Sequence, residues 1–287
     1  MPFTVSTPVP LYWTAYGPKG GERLLVLHGG PGAHHDYLLP QMLDLARERE
    51  VVFYDQRGGG QSRHDDDRAV ITWESQVREM ESVVRELALE PLTLVGYSWG
   101  GLLALLYSVQ AAHGHAGPPP ARLVLIDPAP ISRAWRAEFD SEFTRRQQSP
   151  AVQVLRAELA ASGLRESDPA AYRQRAFELS VAGYFADPRE AHALTPFRVT
   201  GRVQQSIWDS LGDFDLVPAL RDVRCPALVV HGKEDPIPLD SARAVAEALQ
   251  AELVILDDCG HVPYVEQPQK LFGAIRTFLD RTSPTRA

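Results

Sequence analysis

Ser98 combines a nucleophilic hydroxyl with a local pattern that exposes it. The residue lies in the run Gly96-Tyr-Ser-Trp-Gly100, between an apolar segment that ends at Val95 and a run of helix formers that begins at Leu102. A strand that leads directly into a helix forces a sharp turn, and the flanking glycines let neighbouring backbone approach that turn. The pattern therefore predicts a serine nucleophile above the edge of a sheet, beside the positive end of a helix.

The base and the acid that such a serine needs are predicted after two later strands. A strand ending at Val230 is followed by His231-Gly-Lys-Glu-Asp-Pro236, in which Asp235 is the candidate acid. Glu234 is its rival one residue away; the shorter arm and the usual position favour Asp235. His261, preceded by Gly260, follows the last apolar strand and is the candidate base. The chain order of serine, acid and histidine matches one known arrangement for acyl transfer.

Two backbone amides are predicted to bind the oxyanion that forms during acyl transfer. One belongs to Trp99, the residue after the nucleophile. The other belongs to the loop His28-Gly-Gly-Pro-Gly32, where three glycines and a proline in five residues fix an unusual backbone path. Gly30 is the chosen donor in that loop, because a mere tight turn would not need so much glycine.

The sequence gives little support for a phosphate-binding site or a metal site. The glycine cluster that follows Asp55-Gln-Arg57 lacks the lysine of a phosphate-binding loop and the spacing of a dinucleotide site. We expect Asp55 and Arg57 to form a structural ion pair near the floor of the site. The remaining histidines lack metal-ligand spacing, so neither a metal nor a cofactor is expected.

The composition and net charge of the chain limit the kinds of molecule that it is expected to bind. The chain has 287 residues and a formal net charge of −8, which argues against nucleic acid and anionic membranes. No apolar run approaches the ~20 residues that cross a bilayer. The segment Met1-Pro-Phe-Thr4 lacks the features of a signal peptide, so a reduced, cytoplasmic protein is expected. Its expected partner is a small molecule or a short peptide.

Short apolar runs alternate with helical patterns, which predicts a mostly parallel α/β sheet with helices on both faces. Two segments near the N-terminus, Phe3–Ser6 and Leu11–Ala15, add a possible antiparallel hairpin edge and bring the expected total to eight strands. The six predicted parallel strands are Leu24–Leu27, Val51–Tyr54, Leu92–Val95, Leu123–Ile126, Ala227–Val230 and Leu253–Leu256. Cys225 and Cys259 fall at opposite ends of neighbouring strands, too far apart for a disulfide.

One long stretch interrupts the alternation. From residue 131 to residue 218 the sequence shows helical patterns, at about 135–147, 152–161 and 170–185, without a convincing strand. An insertion of this length is typical of a helical lid. The predicted domains are therefore a core of residues 1–130 and 219–287 and a lid of residues 131–218.

Together these motifs resemble the α/β-hydrolase superfamily, and more narrowly its proline iminopeptidase branch. The resemblance covers nearly the whole chain outside the lid. It is carried by His28–Gly32, Asp55–Gly60, Gly96–Gly101, Asp235 and Cys259–His261. The loop and the Asp-Gln-Arg-Gly run, paired with a tryptophan after the serine, are more selective than the triad pattern alone.

The resemblance implies roles for individual residues. Ser98 would attack an acyl carbon, His261 would act as base and then acid, and Asp235 would orient His261. The amides of Gly30 and Trp99 would hold the oxyanion.

Proline iminopeptidases bind the substrate's free amine through lid carboxylates, the first of which lies in a Trp-Glu pair on a helix. Phe177-Glu178 is the equivalent here, which makes Glu178 the candidate substrate-binding residue. The alternative is that Glu178 is a solvated residue on a helix face. A second carboxylate has no match, because Gly201-Arg-Val-Gln-Gln205 carries glutamines where a glutamate is expected.

Three functions follow from the sequence. The first is a cofactor-independent serine hydrolase that releases an N-terminal residue, proline among the candidates, from short peptides or aminoacyl amides. The second is an esterase, lactonase or amide hydrolase for an uncharged small substrate. The third is a binding protein that keeps the hydrolase fold as a ligand pocket.

Overall fold

A mostly parallel sheet forms the centre of the protein. The structure, a computed structural model, describes residues 2–63 and 71–283. In that part of the chain the sheet has seven strands in the order β1-β3-β2-β4-β5-β6-β7. β1 is antiparallel to β3 and all other neighbours are parallel. The strands are β1 (Trp13–Tyr16), β2 (Arg23–Leu27), β3 (Glu50–Tyr54), β4 (Thr93–Tyr97), β5 (Arg122–Ile126), β6 (Ala227–Gly232) and β7 (Glu252–Leu256).

Helices follow the strands along the chain and fill the long connection between β5 and β6. The α-helices are α1 (Trp73–Glu86), α2 (Trp99–Ala112), α3 (Arg133–Gln147), α4 (Pro150–Ala161), α5 (Leu164–Ser167), α6 (Pro169–Val181), α7 (Gly201–Leu211), α8 (Val217–Leu220), α9 (Leu239–Leu249), α10 (Pro263–Glu266) and α11 (Pro268–Arg281). Short 3₁₀ helices lie at His35–Leu38, Gln41–Arg47, Gly60–Ser62, Ala182–Tyr184 and Pro188–Ala193.

The six predicted parallel strands are confirmed, but the prediction of eight strands is wrong. Near the N-terminus only β1 joins the sheet, and Phe3 makes a single bridge to Tyr12 in the described part of the chain. The amides of Val5 and Ser6 donate to the carboxylate of Glu86 on α1, at 2.9 to 3.0 Å. Because a side chain takes these amides, they are not available to pair with a neighbouring strand.

The two faces of the sheet carry separate hydrophobic cores, as continuous apolar strands require. In β2, Leu25 and Leu27 belong to one core, whereas Leu24 and Val26 belong to the other. Helices α1, α2 and α9 cover the first face, and α11 with the 3₁₀ helix at Gln41–Arg47 covers the second. The predicted arrangement of helices on both faces is therefore confirmed.

Both cysteines are free thiols, as their expected positions at opposite strand ends predicted. Cys225 precedes β6, and Cys259 follows β7 and is fully buried. Among residues 2–63 and 71–283, no helix has the length and apolar character needed to cross a membrane.

Prolines open two of the α-helices of the inserted segment, residues 131–218. Pro150 and Pro169 are the first residues of α4 and α6, where the missing N–H would have had no acceptor inside the helix. Asp168 caps α6 by accepting from the amides of Ala170 and Ala171. The helix expected over 170–185 ends at Val181 as an α-helix and continues as a 3₁₀ turn.

The turn after β4 depends on close backbone contact at Gly100. A Cβ atom there would overlap the carbonyl group of Leu27, whereas a Cβ at Gly273 on α11 would meet nothing within 4 Å. We expect Gly100→Ala to lower the free energy of unfolding by about 1–3 kcal/mol, because backbone must shift. Gly273→Ala should leave it unchanged or raise it by about 1 kcal/mol, because alanine favours a helix. Urea unfolding measures both changes, and equal stability of the two variants would contradict the expectation.

Candidate active site

Ser98 lies at the apex of the turn between β4 and α2. Its backbone has φ 53° and ψ −120°, a conformation that non-glycine residues rarely adopt. The turn is held by its own backbone: the Ser98 amide donates to Ile126 at 2.9 Å, and the Ser98 carbonyl accepts from Gly101 and Ala129 at 2.9 Å. Because several hydrogen bonds determine this backbone conformation, the direction in which the Ser98 side chain leaves the turn is fixed.

The structure brings Ser98, His261 and Asp235 into one hydrogen-bonded chain. The Ser98 hydroxyl donates to Nε2 of His261 at 3.0 Å, and Nδ1 of His261 donates to Oδ2 of Asp235 at 2.8 Å. The other carboxylate oxygen of Asp235 accepts from the amide of Ile237 at 2.7 Å. The three residues come from the ends of β4, β6 and β7, which meet at one edge of the parallel sheet.

Glu234, the rival acid, lies in the same turn but serves another part of it. Its carboxylate accepts from the amide of Cys259 at 3.0 Å, and its carbonyl accepts from the guanidinium of Arg146. The carboxylate that hydrogen-bonds His261 is therefore that of Asp235, while Glu234 ties the turn after β6 to the loop that carries His261.

Both the core and the inserted segment hold His261. Its amide donates to the carbonyl of Tyr184 at 2.7 Å, and its carbonyl accepts from the Tyr97 hydroxyl at 2.9 Å. The imidazole lies between the rings of Tyr97 and Tyr184, with centroids 5.4 and 5.1 Å away. Burial lowers the pKa of His261, which favours the neutral imidazole that can accept a proton.

A second carboxyl group, that of Asp127, lies beside this chain. Asp127 follows β5, is fully buried, and accepts from the amide of Gly232 through Oδ1 at 2.8 Å. Burial, reinforced by the charge of Asp235, raises the pKa of Asp127 well above its usual range. The raised pKa favours the protonated form of Asp127, and its Oδ2 has no hydrogen-bond partner in the described part of the chain. Burial also raises the pKa of the neighbouring Asp235, to about 8.

Asp127, Asp235 and His261 also have the spacing of a metal site. One ligand-type atom from each lies within 4.8 Å of the others. The His261 Nδ1–H already donates to Asp235, and a protonated Asp127 lacks the charge that a cation prefers, so this donor set fits a proton network better than a metal. The absence of a metal stays a prediction.

The glycine loop after β2 runs past Ser98. A Cβ atom at Gly29 would lie 3.1 Å from the Cβ of Ser98, and the Gly29 amide donates to the Tyr37 hydroxyl at 2.8 Å. Gly30 has φ 132° and its carbonyl accepts from Nε2 of Gln204 on α7 at 2.9 Å. The loop path thus depends on a glycine conformation and on a side chain from the inserted segment.

Trp99 is the first residue of α2, so its amide has no acceptor within the helix. Its indole is buried and donates to the side-chain oxygens of Gln56 and Gln76, at 2.9 and 3.2 Å. The amides of Gly30 and Trp99 remain the predicted oxyanion donors.

Glu178 lies on α6 and is already paired. Its carboxylate accepts from Arg175 at 2.8 Å and from Gln174 at 3.0 Å. It lines a cavity of about 420 Å³ whose walls come from residues 155–192 of the inserted segment. The structure therefore does not bring Glu178 together with Ser98 in this cavity, and its substrate-binding role stays a prediction.

The expected ion pair between Asp55 and Arg57 is wrong. Asp55 accepts from the amide and Nδ1 of His35, at 2.9 and 2.8 Å, and Arg57 pairs with Glu79 on α1. The two side chains leave the loop in different directions, and each finds its partner on a different element.

Sequence reasoning missed several residues that shape the site. Asp127 carried a usable signal, since it directly follows a predicted strand just as the other site residues do. Tyr184 and Gln204 carried none, because their roles depend on where the inserted segment folds over the sheet edge.

The fold and the site together define a class of protein. In this class a serine, a histidine and an aspartate lie at the carboxyl edge of a mostly parallel sheet, and comparison with known families identifies the same class. Residues 24–274 match the alpha/beta hydrolase family, and the chain belongs to that family. Within it, the chain is similar to the proline iminopeptidase of Lactobacillus delbrueckii subsp. bulgaricus. The two are 27% identical over 279 residues, which cover 90% of this chain and 91% of the relative.

Solved structures give the same fold. A proline iminopeptidase-related protein from Thermus thermophilus aligns with a TM-score of 0.74 at 22% identity, covering 98% of this chain and 97% of that protein. The enol-lactonase from Burkholderia xenovorans aligns with a TM-score of 0.65 at 19% identity, covering 97% and 100%.

Proposed function

We propose that this hydrolase uses Ser98 as a nucleophile to cleave ester or amide bonds. The observation that carries the proposal is the continuous chain of hydrogen bonds from Asp235 through His261 to the Ser98 hydroxyl. A neutral imidazole 3.0 Å from a serine hydroxyl is within reach of the proton that it must take.

The proposed reaction has two halves. Ser98 Oγ attacks the carbonyl carbon while His261 takes its proton, and the amides of Gly30 and Trp99 bind the oxyanion. His261 then donates that proton to the leaving group, which departs from an acyl-enzyme. A water molecule, activated by His261, attacks the acyl carbon, and Ser98 regains its proton as the acid is released. Asp235 keeps His261 in the required tautomer and stabilises the imidazolium.

The proposed substrate is a short peptide or an aminoacyl amide from which the N-terminal residue is released. The similarity to proteins named proline iminopeptidase over nine-tenths of both chains supports this class. Glu178 is the proposed contact for the substrate's amine, and binding there requires its carboxylate to exchange Arg175 for the ammonium group.

A second candidate is an esterase or lactonase whose substrate has no free amine. The pairing of Glu178 with Arg175 favours it, because a carboxylate that is already neutralised attracts an ammonium group less strongly. The fold shared with an enol-lactonase is compatible with this candidate.

A paired assay tests the proposal. A fluorophosphonate probe should label Ser98, and failure to label it would favour the binding-protein alternative. Turnover of proline 4-nitroanilide should be measured beside that of 4-nitrophenyl butyrate, because brisk ester turnover without anilide turnover would reject the aminopeptidase.

Glu178→Gln should raise KM for proline 4-nitroanilide about tenfold if the carboxylate binds the amine. Glu158→Gln is the matched control, since Glu158 lines the same cavity. An unchanged KM in the Glu178 variant would remove Glu178 from the substrate site and leave the serine chemistry untouched.

A further inference from the structure

A second cavity, of about 700 Å³, opens between the inserted segment and the core loops. Its walls come from α6, from the segment Pro196–Thr200, and from core residues near the glycine loop and the 3₁₀ helix at Gly60–Ser62. The lining residues are His34, Gly60, Arg63, Ala170, Arg173, Gln174, Phe177, Pro196, Phe197, Arg198, Val199 and Thr200.

The described residues that line this cavity include three cations. Arg63, Arg173 and Arg198 line it from three separate segments, and the described part of its lining contains no aspartate or glutamate. Within residues 2–63 and 71–283 none of these three arginines forms an ion pair. Other arginines of the inserted segment do have acidic partners: Arg136 pairs with Asp140, Arg145 and Arg146 with Glu142, and Arg175 with Glu178.

The cavity adjoins the catalytic serine through a short series of aromatic contacts. Phe177 and Phe197 line it and pack edge to face, and Phe197 stacks on Tyr37 with 4.3 Å between ring centroids. The Tyr37 hydroxyl accepts from the amide of Gly29, the residue whose Cβ position would be 3.1 Å from the Cβ of Ser98. Through these packing contacts the cavity neighbours the serine site, although Ser98 and the buried Tyr37 are not among its lining residues.

We propose that this cavity binds a carboxylate group of the substrate. The inference rests on the proposed hydrolase function and specifies its substrate class as an anionic one. Three cations around a concave surface, with no counter-charge among its described residues, attract an anion, and arginine binds carboxylates through paired N–H donors. The rings of Phe177 and Phe197, which line the same cavity, suit the uncharged part of such a substrate.

The carboxylate has two possible sources. It belongs either to the leaving group, as the C-terminal carboxylate of a dipeptide does, or to the acyl group, as in a half-ester of a dicarboxylic acid. Two matched ligand pairs separate these sources: prolyl-alanine with its C-terminal amide, and monomethyl glutarate with methyl butyrate.

Binding is best measured by calorimetric titration of Ser98→Ala protein, which binds these ligands without cleaving them. In at least one pair the carboxylate ligand should bind about tenfold more tightly than its uncharged partner. Adding Arg173→Gln or Arg198→Gln to the Ser98→Ala protein should remove most of that preference. Raising the salt concentration should also weaken the preference, because both arginines are exposed and salt screens exposed charges. Thermal melts check that these exposed replacements leave the fold intact.

Arg156→Gln is the matched control. Arg156 is an exposed arginine on α4 that donates to Gln147, so its loss changes the net charge equally without touching the cavity. It should keep the carboxylate preference. Equal affinity within both ligand pairs, or a preference that survives both cavity variants, would overturn the inference. Cleavage of the same compounds by unmodified protein is scored separately, so a failure of the hydrolase proposal is recognised independently.

Discussion

Replacing Ser98 with alanine should lower kcat by about 10⁴- to 10⁶-fold. The hydroxyl is the only group removed, and with it go the attacking oxygen and the hydrogen bond to Nε2 of His261. The Cβ atom and the backbone hydrogen bonds of the turn remain, so the free energy of unfolding should change by less than about 1 kcal/mol. Steady-state kinetics on whichever of proline 4-nitroanilide and 4-nitrophenyl butyrate is turned over faster, with urea unfolding of the same protein, gives both values.

Ser108→Ala is the control for this change. Ser108 lies on the same helix that begins after Ser98, is buried, and donates to the carbonyl of Ala104 at 2.6 Å. Its loss should cost about 1 kcal/mol of stability and leave kcat unchanged. Undiminished activity in the Ser98→Ala protein would refute the serine mechanism altogether.

Replacing Asp235 with asparagine should lower kcat by about 10⁴-fold, with a much smaller change in KM. The new amide would present N–H groups towards Nδ1 of His261, which favours the tautomer with its proton on Nε2. That nitrogen faces Ser98 at 3.0 Å and then has no free lone pair for the serine proton. Measuring kcat and KM separately distinguishes this effect from a loss of substrate binding.

Two neighbouring carboxyl groups serve as matched comparisons. Asp127→Asn should keep activity within about threefold, because an uncharged amide of similar shape replaces a carboxyl group whose raised pKa favours its uncharged form, and the amide oxygen can still accept from Gly232. Glu234→Gln should also retain most activity, since Glu234 bonds the Cys259 amide and not His261. A loss in Asp127→Asn as large as that in Asp235→Asn would show that Asp127 carries the negative charge of the pair.

The parallel sheet was predictable because its strands are apolar on both faces, and this property can be recognised within each short segment of the sequence. Leu24 to Leu27 can be buried only between two layers, so this segment indicated helices on both sides. The edge strand was harder to predict, since the pairing of Phe3–Ser6 depended on whether Glu86 would take its amides.

The sequence by itself determined which side chains meet: a serine, an aspartate and a histidine, each in the turn or loop that follows a strand, and a glycine loop beside them. Parallel strands bring their carboxyl ends to one edge, so position in the sequence already determined proximity. Only the tertiary structure decided that Tyr184 contacts His261, and that three arginines without an acidic partner among the described residues gather near the site. Those contacts arise between elements far apart in the chain, and the packing of the inserted segment against the sheet edge, which no local pattern encodes, brings them together.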